Sequence, residues 1–374
     1  MAGIYIHIPF CRQKCLYCDF YAVASQSKRP QLVDSIIEEI DYQKEFINGL
    51  PVNTIYFGGG TPSTLTRDEL SRILSKLYSL FNINDTAEIT LEANPEDLIP
   101  DYLASLRSVG VNRLSVGIQS FVDEHLLYFG RRHTAKDAKE AITNARSAGF
   151  LNISADLIYG FPGLTTEQWK NNVETMVSLQ VDHISSYQLM VEQGSVFFKR
   201  QQIGKFTPVD DDESAENYRI LTTTLRENGY DHYELSNFCK PGLFSHHNSS
   251  YWFGEPYLGL GPSAHSFNGV SRQWNVSSID KYCHAIKDKG VWWEEEILTE
   301  RDRYNELIIT RLRTKRGLQN EEVATLSDSR QEQFRRAAEK MESKGQLSRI
   351  QTGWIIPENV WLVSDGIISE LIEI

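Results

Sequence analysis

From the N-terminus to about residue 230, short apolar runs alternate with amphipathic stretches, and this rhythm is the strongest constraint on the fold. The strand candidates are 3–8, 54–57, 88–92, 113–117, 152–158 and 183–188. Between them apolar residues recur at three- to four-residue spacing, as in Leu32/Val33, Ile36/Ile37 and Ile40, and in Leu70, Ile73/Leu74, Leu77 and Leu80/Phe81. That is the period of a helix with one buried face. Further helical patterns fall near 102–109, 135–148, 168–179 and 213–228. Thr165 and Gln168 form a capping-box pattern before one of them. Gly110, Gly149 and Gly229 each close a helical pattern ahead of an apolar run, as a left-handed C-terminal cap does. Six strand–helix repeats imply a parallel sheet, because parallel neighbours need crossover connections. Such a sheet either closes partly into a barrel or lies open and doubly wound, and periodicity leaves both open.

Beyond residue 230 the rhythm changes. Residues 238–271 are rich in Gly, Pro, His, Ser and aromatics and read as irregular. From about 300 helices return: 330–344 reads as a charged amphipathic helix, followed by short strands at 347–350 and 354–356, a winged-helix-like unit. The expected division is an α/β core over 1–235, an irregular connection over 236–299 and a small α+β unit over 300–374. The formal charge of -12 argues against a nucleic-acid partner, although a local basic pocket can still take carboxylates. The N-terminus lacks a basic leader, and the sequence has no run of eighteen apolar residues. The expectation is therefore a cytoplasmic protein with no transmembrane segment.

Three of the five cysteines, Cys11, Cys15 and Cys18, follow the first strand at the spacing C-x3-C-x2-C. Three thiolates in one loop can take three corners of an iron–sulfur cube. The fourth iron is then open to chelate a small molecule and pass it an electron. The competing reading is a zinc knuckle, which needs a fourth ligand; Cys239 and His7 are the candidates. Clustered thiols in a chain without a secretion signal favour metal over disulfides.

Other segments carry a resemblance that covers nearly the whole chain. They are Tyr5-Ile6-His7-Ile8-Pro9-Phe10-Cys11, Gly58-Gly59-Gly60-Thr61-Pro62-Ser63, Glu92-Ala93-Asn94-Pro95, Ser115-Val116-Gly117-Ile118-Gln119-Ser120, Gly130-Arg131-Arg132-His133 and Asp156-Leu157-Ile158-Tyr159-Gly160-Phe161-Pro162-Gly163. In this order they resemble the radical S-adenosylmethionine (SAM) superfamily, in its oxygen-independent coproporphyrinogen III oxidase-like branch. The resemblance implies a partial (β/α)6 barrel of the TIM type. It also implies a [4Fe–4S] cluster on the three cysteines and SAM on its open iron. Gly59, Gly60 and Thr61 then line the SAM amino group, Glu92 meets the ribose hydroxyls, and Arg131 meets the carboxylate. Gln119, Asp156 and Tyr5 complete the implied site. The family chemistry is one-electron cleavage of SAM to methionine and a 5'-deoxyadenosyl radical.

One position departs from the oxidase. That branch typically continues as C-x3-C-x2-C-x-C, and here the last position is Phe20. The departure resembles the HemW-type heme chaperones, which are associated with binding heme and handing it to acceptor proteins. His247-Asn248-Ser249-Ser250-Tyr251-Trp252 fits the H-N-x-x-Y-W pattern of that group. An imidazole beside two aromatics suits an axial ligand and a porphyrin platform, so His247 is the expected heme ligand. His246 is its possible substitute, His265 is expected to be structural, and Cys239 and Cys283 are expected to be ordinary, partly buried lone thiols, with heme ligation as the lesser alternative. Two functions stand side by side: a heme chaperone with a radical SAM core, and the oxidase that converts propionates to vinyls. A third is a radical SAM enzyme acting on another substrate, because fold does not name the substrate.

Overall fold

The computed structural model describes residues 1–373. Six parallel strands lie side by side in chain order: β1 (Ala2–Ile8), β2 (Val52–Gly59), β3 (Ile83–Ala93), β4 (Arg113–Gln119), β5 (Asn152–Tyr159) and β6 (His183–Gln188). Each expected strand is there; β6 has the expected bounds, β1 and β5 gain one residue each, and β2, β3 and β4 run further. The helices between them include Arg29–Tyr42, Arg67–Leu80, Pro100–Ser108, Ala135–Ser147 and Thr166–Ser178. Thr165 and Gln168 make the expected capping box; Thr66–Glu69 and Thr134–Asp137 make two more. Gly110, Gly149 and Gly229 all stand at positive φ.

Strand order decides between barrel and doubly wound sheet. A doubly wound sheet reverses its order at a switch point. Here each strand is added on the same side of the last, and right-handed crossovers then put every helix on one face. The strands alternate accordingly. Ile4, Ile6, Ile55, Phe57, Leu91, Leu114, Val116, Ile153 and Leu157 point at the helices and form one continuous core with them. The alternate residues, among them Tyr56, Glu92, Arg113, Ser115, Asp156 and Tyr187, line a hollow on the other face. The curl stays open, because β6 does not return to β1. Instead it pairs with β8 (Asn237–Cys239), which pairs with β7 (Asp231–Glu234). At the other end β1 pairs with β9 (Tyr257–Leu260), followed by β10 (His265–Phe267), β11 (Ser271–Asn275) and β12 (Trp293–Ile297).

These additions correct the expectation that 236–299 is irregular. The segment supplies β8 to β12 and extends the sheet at both ends. Glu39, fully buried in the first helix, ties the β9–β12 extension down. Its carboxylate accepts from the Gly261 N–H at 2.7 Å, Asn275 Nδ2 at 2.6 Å, Trp292 Nε1 at 2.9 Å and the Tyr282 hydroxyl. Four donors satisfy a carboxylate that burial alone would expel.

A second, separate core gathers Tyr304, Ile308, Leu312, Phe334, Met341, Trp354 and Trp361. It joins the helices Glu300–Arg311 and Asp328–Ser343 to a small antiparallel sheet of β13 (Leu318–Gln319), β14 (Ser348–Ile350) and β15 (Gly353–Ile355). This is the expected winged-helix-like unit. Among the described residues no helix is long and apolar enough to cross a membrane.

Candidate functional site

The cysteine loop leaves the C-terminal end of β1 and is stitched to its surroundings by backbone. The Leu16 N–H donates to Phe129 O at 3.0 Å, Gln13 Nε2 to Gly130 O at 2.9 Å, and the Cys11 N–H to Val23 O at 3.0 Å. Cys11 is buried, Cys15 and Cys18 half-buried, and all three are free thiols. The Thr61 hydroxyl approaches Cys11 Sγ at 3.4 Å and Arg131 Nη1 approaches Cys15 Sγ at 3.4 Å. A hydroxyl and a guanidinium aimed at sulfur suit thiolates, the state in which cysteine binds metal.

The zinc alternative lacks its fourth ligand. Cys239 sits in β8 opposite His183 and does not border the cavity onto which the loop opens. The His7 ring is held by the Tyr5 hydroxyl at 3.1 Å and faces Tyr21 O at 3.1 Å. Among the described residues no three side chains converge as ligands of a single ion. A cube bound at its corners spaces its sulfurs around a larger body, so the donor set fits a cluster better than one ion.

The loop opens onto a cavity of about 610 Å³, within the range of small-molecule sites. The cavity brings together Cys11, Cys15, Cys18, Gly59, Gly60, Thr61, Glu92, Gln119, Arg131 and Asp156. These are all the expected cluster and SAM residues except Tyr5. Two glycines let backbone come close: a Cβ on Gly59, at φ +107°, would sit 2.6 Å from the His7 ring, and one on Gly60 2.8 Å from Phe10 N. Gln119 ends β4 at φ +68°, a left-handed conformation that a non-glycine residue adopts at a cost. Arg131 Nη2 donates to Asn94 Oδ1 at 2.7 Å and Gly117 O at 2.6 Å.

Two half-buried carboxylates face this space from β3 and β5. Burial pushes Glu92 up to about 7, against the pull of the Tyr56 hydroxyl at 2.8 Å and the Gly59 N–H at 3.1 Å; the nearby Asp156 pushes it further up. Burial likewise pushes Asp156 up to about 6, opposed by Ser185, Arg113 and Arg131. Raised carboxyls beside unfilled space are typical of ligand sites.

Two expected site residues stand apart from the cavity lining. Tyr5 does not line the cavity; it lies behind Gly58, stacked on Tyr56 and His247 with centroids 6.1 and 6.3 Å away. His247 is not an open heme ligand. It is 1% exposed, and both ring nitrogens are engaged, Nδ1 with Thr54 Oγ1 and Nε2 with the Tyr251 hydroxyl, each at 2.8 Å. An imidazole needs a free nitrogen to ligate iron. Of the motif only Asn248 borders the cavity. His246 is exposed and packs on Phe244, while Cys239 and Cys283 are lone thiols as expected, but fully rather than partly buried. Sequence reasoning missed Tyr56, Asn94, Arg113 and Tyr187. Their signal is period two: Tyr56, Arg113 and Tyr187 alternate with helix-facing neighbours along their strands.

Comparison with known proteins gives the family. Residues 5–176 match the model of the radical SAM superfamily, and 298–363 that of the HemN C-terminal domain. The chain is 37% identical to the heme chaperone HemW of Bacillus subtilis, over 83% of each protein. It is 30% identical to the mitochondrial radical S-adenosyl methionine domain-containing protein 1 of Danio rerio, over 92% of this chain and 80% of that one. Coproporphyrinogen III oxidase (HemN) from Escherichia coli shares the fold, with a TM-score of 0.85 at 22% identity, over 99% of this chain and 89% of that one. The three-thiol loop, the carboxylate-lined barrel and the extent of these matches place the chain in the radical SAM superfamily, as a member of the HemW family.

Proposed function

We propose that this protein binds heme and hands it to an acceptor protein. In this reading Cys11, Cys15 and Cys18 hold a [4Fe–4S] cluster, and SAM lies against Gly59, Gly60, Thr61, Glu92, Gln119, Arg131 and Asp156. When bound, the cluster supplies one electron and an open iron to SAM. The residues of the chain do the rest. Thr61 and Arg131 donate toward the thiolates, Arg131 offsets their charge, and Glu92 and Asp156 stand ready to accept from hydroxyls.

The observation that carries the heme reading is at the cavity mouth. Phe20, 63% exposed, stands where the oxidase branch carries its further cysteine, and Met190 and Tyr187 share the rim at 67% and 44% exposure. Three large apolar side chains left in water around one opening favour a ligand with broad apolar faces. The extent of identity to proteins named as heme chaperones points the same way.

The test is one anaerobic comparison of the reconstituted protein with heme and with coproporphyrinogen III. The expected result is stoichiometric heme uptake, read from the Soret band, with no vinyl product by chromatography. Turnover of coproporphyrinogen III would make the protein an oxidase despite Phe20.

A further inference from the structure

Glu92 is held from behind. Its Oε1 accepts from the Tyr56 hydroxyl at 2.8 Å, and the Tyr56 ring lies against the His247 ring with centroids 4.9 Å apart and planes 23° from parallel. His247 in turn is fixed on every side. Thr54 of β2 and Tyr251 take its two nitrogens at 2.8 Å each. The backbone N–H groups of His246 and His247 donate to the Glu88 carboxylate of β3 at 3.2 and 3.1 Å. On the β1 side Gly3 leaves the room: a Cβ there would stand 2.8 Å from Thr54 Oγ1 and 3.3 Å from the His247 ring. The motif is thus clamped behind β1, β2 and β3. The C-terminal ends of those strands carry the cysteine loop, the glycine loop and Glu92.

We propose that His247 is a positioning residue of the SAM site: its ring fixes the Tyr56 ring, and through the Tyr56 hydroxyl it aims the Glu92 carboxylate into the cavity. This rests on the reading of Glu92 as a SAM ligand. A tyrosine without a packed face turns about two side-chain torsions, and a carboxylate held by a swinging hydroxyl loses its direction. Binding groups keep productive geometry only when the residues behind them are locked by packing and hydrogen bonds. His247 supplies that lock as a buried neutral ring with a partner on each nitrogen, and no ring nitrogen is left over for iron.

The test measures SAM affinity by calorimetry on the cluster-loaded protein. The variants are His247→Ala, His247→Phe, Tyr56→Phe, Glu92→Gln, the double variant His247→Ala/Tyr56→Phe, and the exposed control His246→Ala. Loss of the stack or of the Tyr56 hydroxyl is expected to weaken SAM about tenfold. His247→Phe keeps a ring on Tyr56 and should stay within about twofold of the wild type. His246→Ala should do nothing. The double variant should lose no more than the worse single variant, because both changes cut one chain of contacts; a merely structural His247 would give additive losses. Heme added to His247→Ala should show the wild-type Soret band. If Glu92→Gln binds SAM normally, the SAM reading of Glu92 fails. If Glu92→Gln weakens SAM but Tyr56→Phe and His247→Ala do not, the proposal fails and the reading stands. Should His247→Ala not fold, Tyr56→Phe and His247→Phe decide alone: a tenfold loss in the first with retention in the second supports the proposal, and any other pattern overturns it. A Soret band shifted or lost in His247→Ala also overturns it, because the ring would then be ligating iron.

Discussion

Replacing Cys11, Cys15 or Cys18 by Ala is expected to abolish the broad iron–sulfur absorption of the reconstituted protein. The cavity has no substitute thiol. Cys239 sits in β8 and Cys283 in the helix Ile279–Lys287, both buried and both outside the cavity lining. A cube held by three thiolates already leaves one iron open, and losing a further thiolate strips a second corner of its protein ligand. Burial pushes the free Cys18 thiol up to about 11 and raises Cys11 as well. In the cluster-free protein these groups are therefore protonated at neutral pH, and assembly must release their protons. Iron and sulfide per chain should fall to background in the triple variant, while Cys239→Ser and Cys283→Ser load normally. Normal iron and sulfide in the triple variant would remove the cluster from these residues altogether.

Much of this architecture is legible in the sequence because its physics is local. The helix faces of β1 to β6, with Ile4, Ile55, Leu91, Leu114 and Ile153, stand out as apolar runs between helical patterns. The three glycines of 58–60 stand out because close backbone approach leaves few alternatives. What the sequence hides is non-local. Whether the sheet curls or winds doubly depends on which strands are neighbours, and no single strand carries that information. Strands β8 to β12 are three to five residues long, too short to show a period, and they pair with distant partners, as Gly3 does with Tyr257. The polar alternates on β4, Arg113 and Ser115, read as interruptions of an apolar strand until the hollow they face is seen.

Tyr5 and His247 stand apart from the cavity lining for one reason. Tyr5 and His247 sit in segments whose composition suits ligand contact, but a motif does not say which way a ring points. For His247 the deciding facts are Thr54, Tyr251 and Tyr56, which come from β2 and from the motif itself. The same composition serves a supporting role, since the ring face packs on Tyr56 while its two nitrogens take Thr54 and Tyr251.

Substituting Glu92 is expected to separate the stability of the protein from its affinity for SAM. The carboxyl of Glu92 is raised to about 7 in the folded protein, chiefly by burial, against 4.5 as its ordinary value. A carboxyl raised on folding stabilises the folded form while protonated. That stability is full below about 4.5, is lost as pH rises to about 7, and stays lost above it. The loss is about 2 kcal/mol once water in the open cavity screens part of the burial penalty. Glu92→Gln carries no such group, so in urea titrations without ligand it should gain on the wild type between pH 5 and 8. SAM affinity should move the other way. Only the ionised carboxylate accepts from two hydroxyls at once. Wild-type affinity should therefore rise about tenfold per pH unit up to about 7 and level off beyond it, with a proton released on binding at pH 6. Glu92→Gln should bind about ten- to a hundredfold more weakly at pH 8 and lose most of this slope, apart from what Asp156 contributes. Calorimetry at several pH values in buffers of different ionisation enthalpy reads the affinity and the proton together. If the variant matched the wild type in affinity, slope and proton release, Glu92 would be a structural carboxylate, and SAM binding would have to rest on Arg131, Asp156 and the glycine loop.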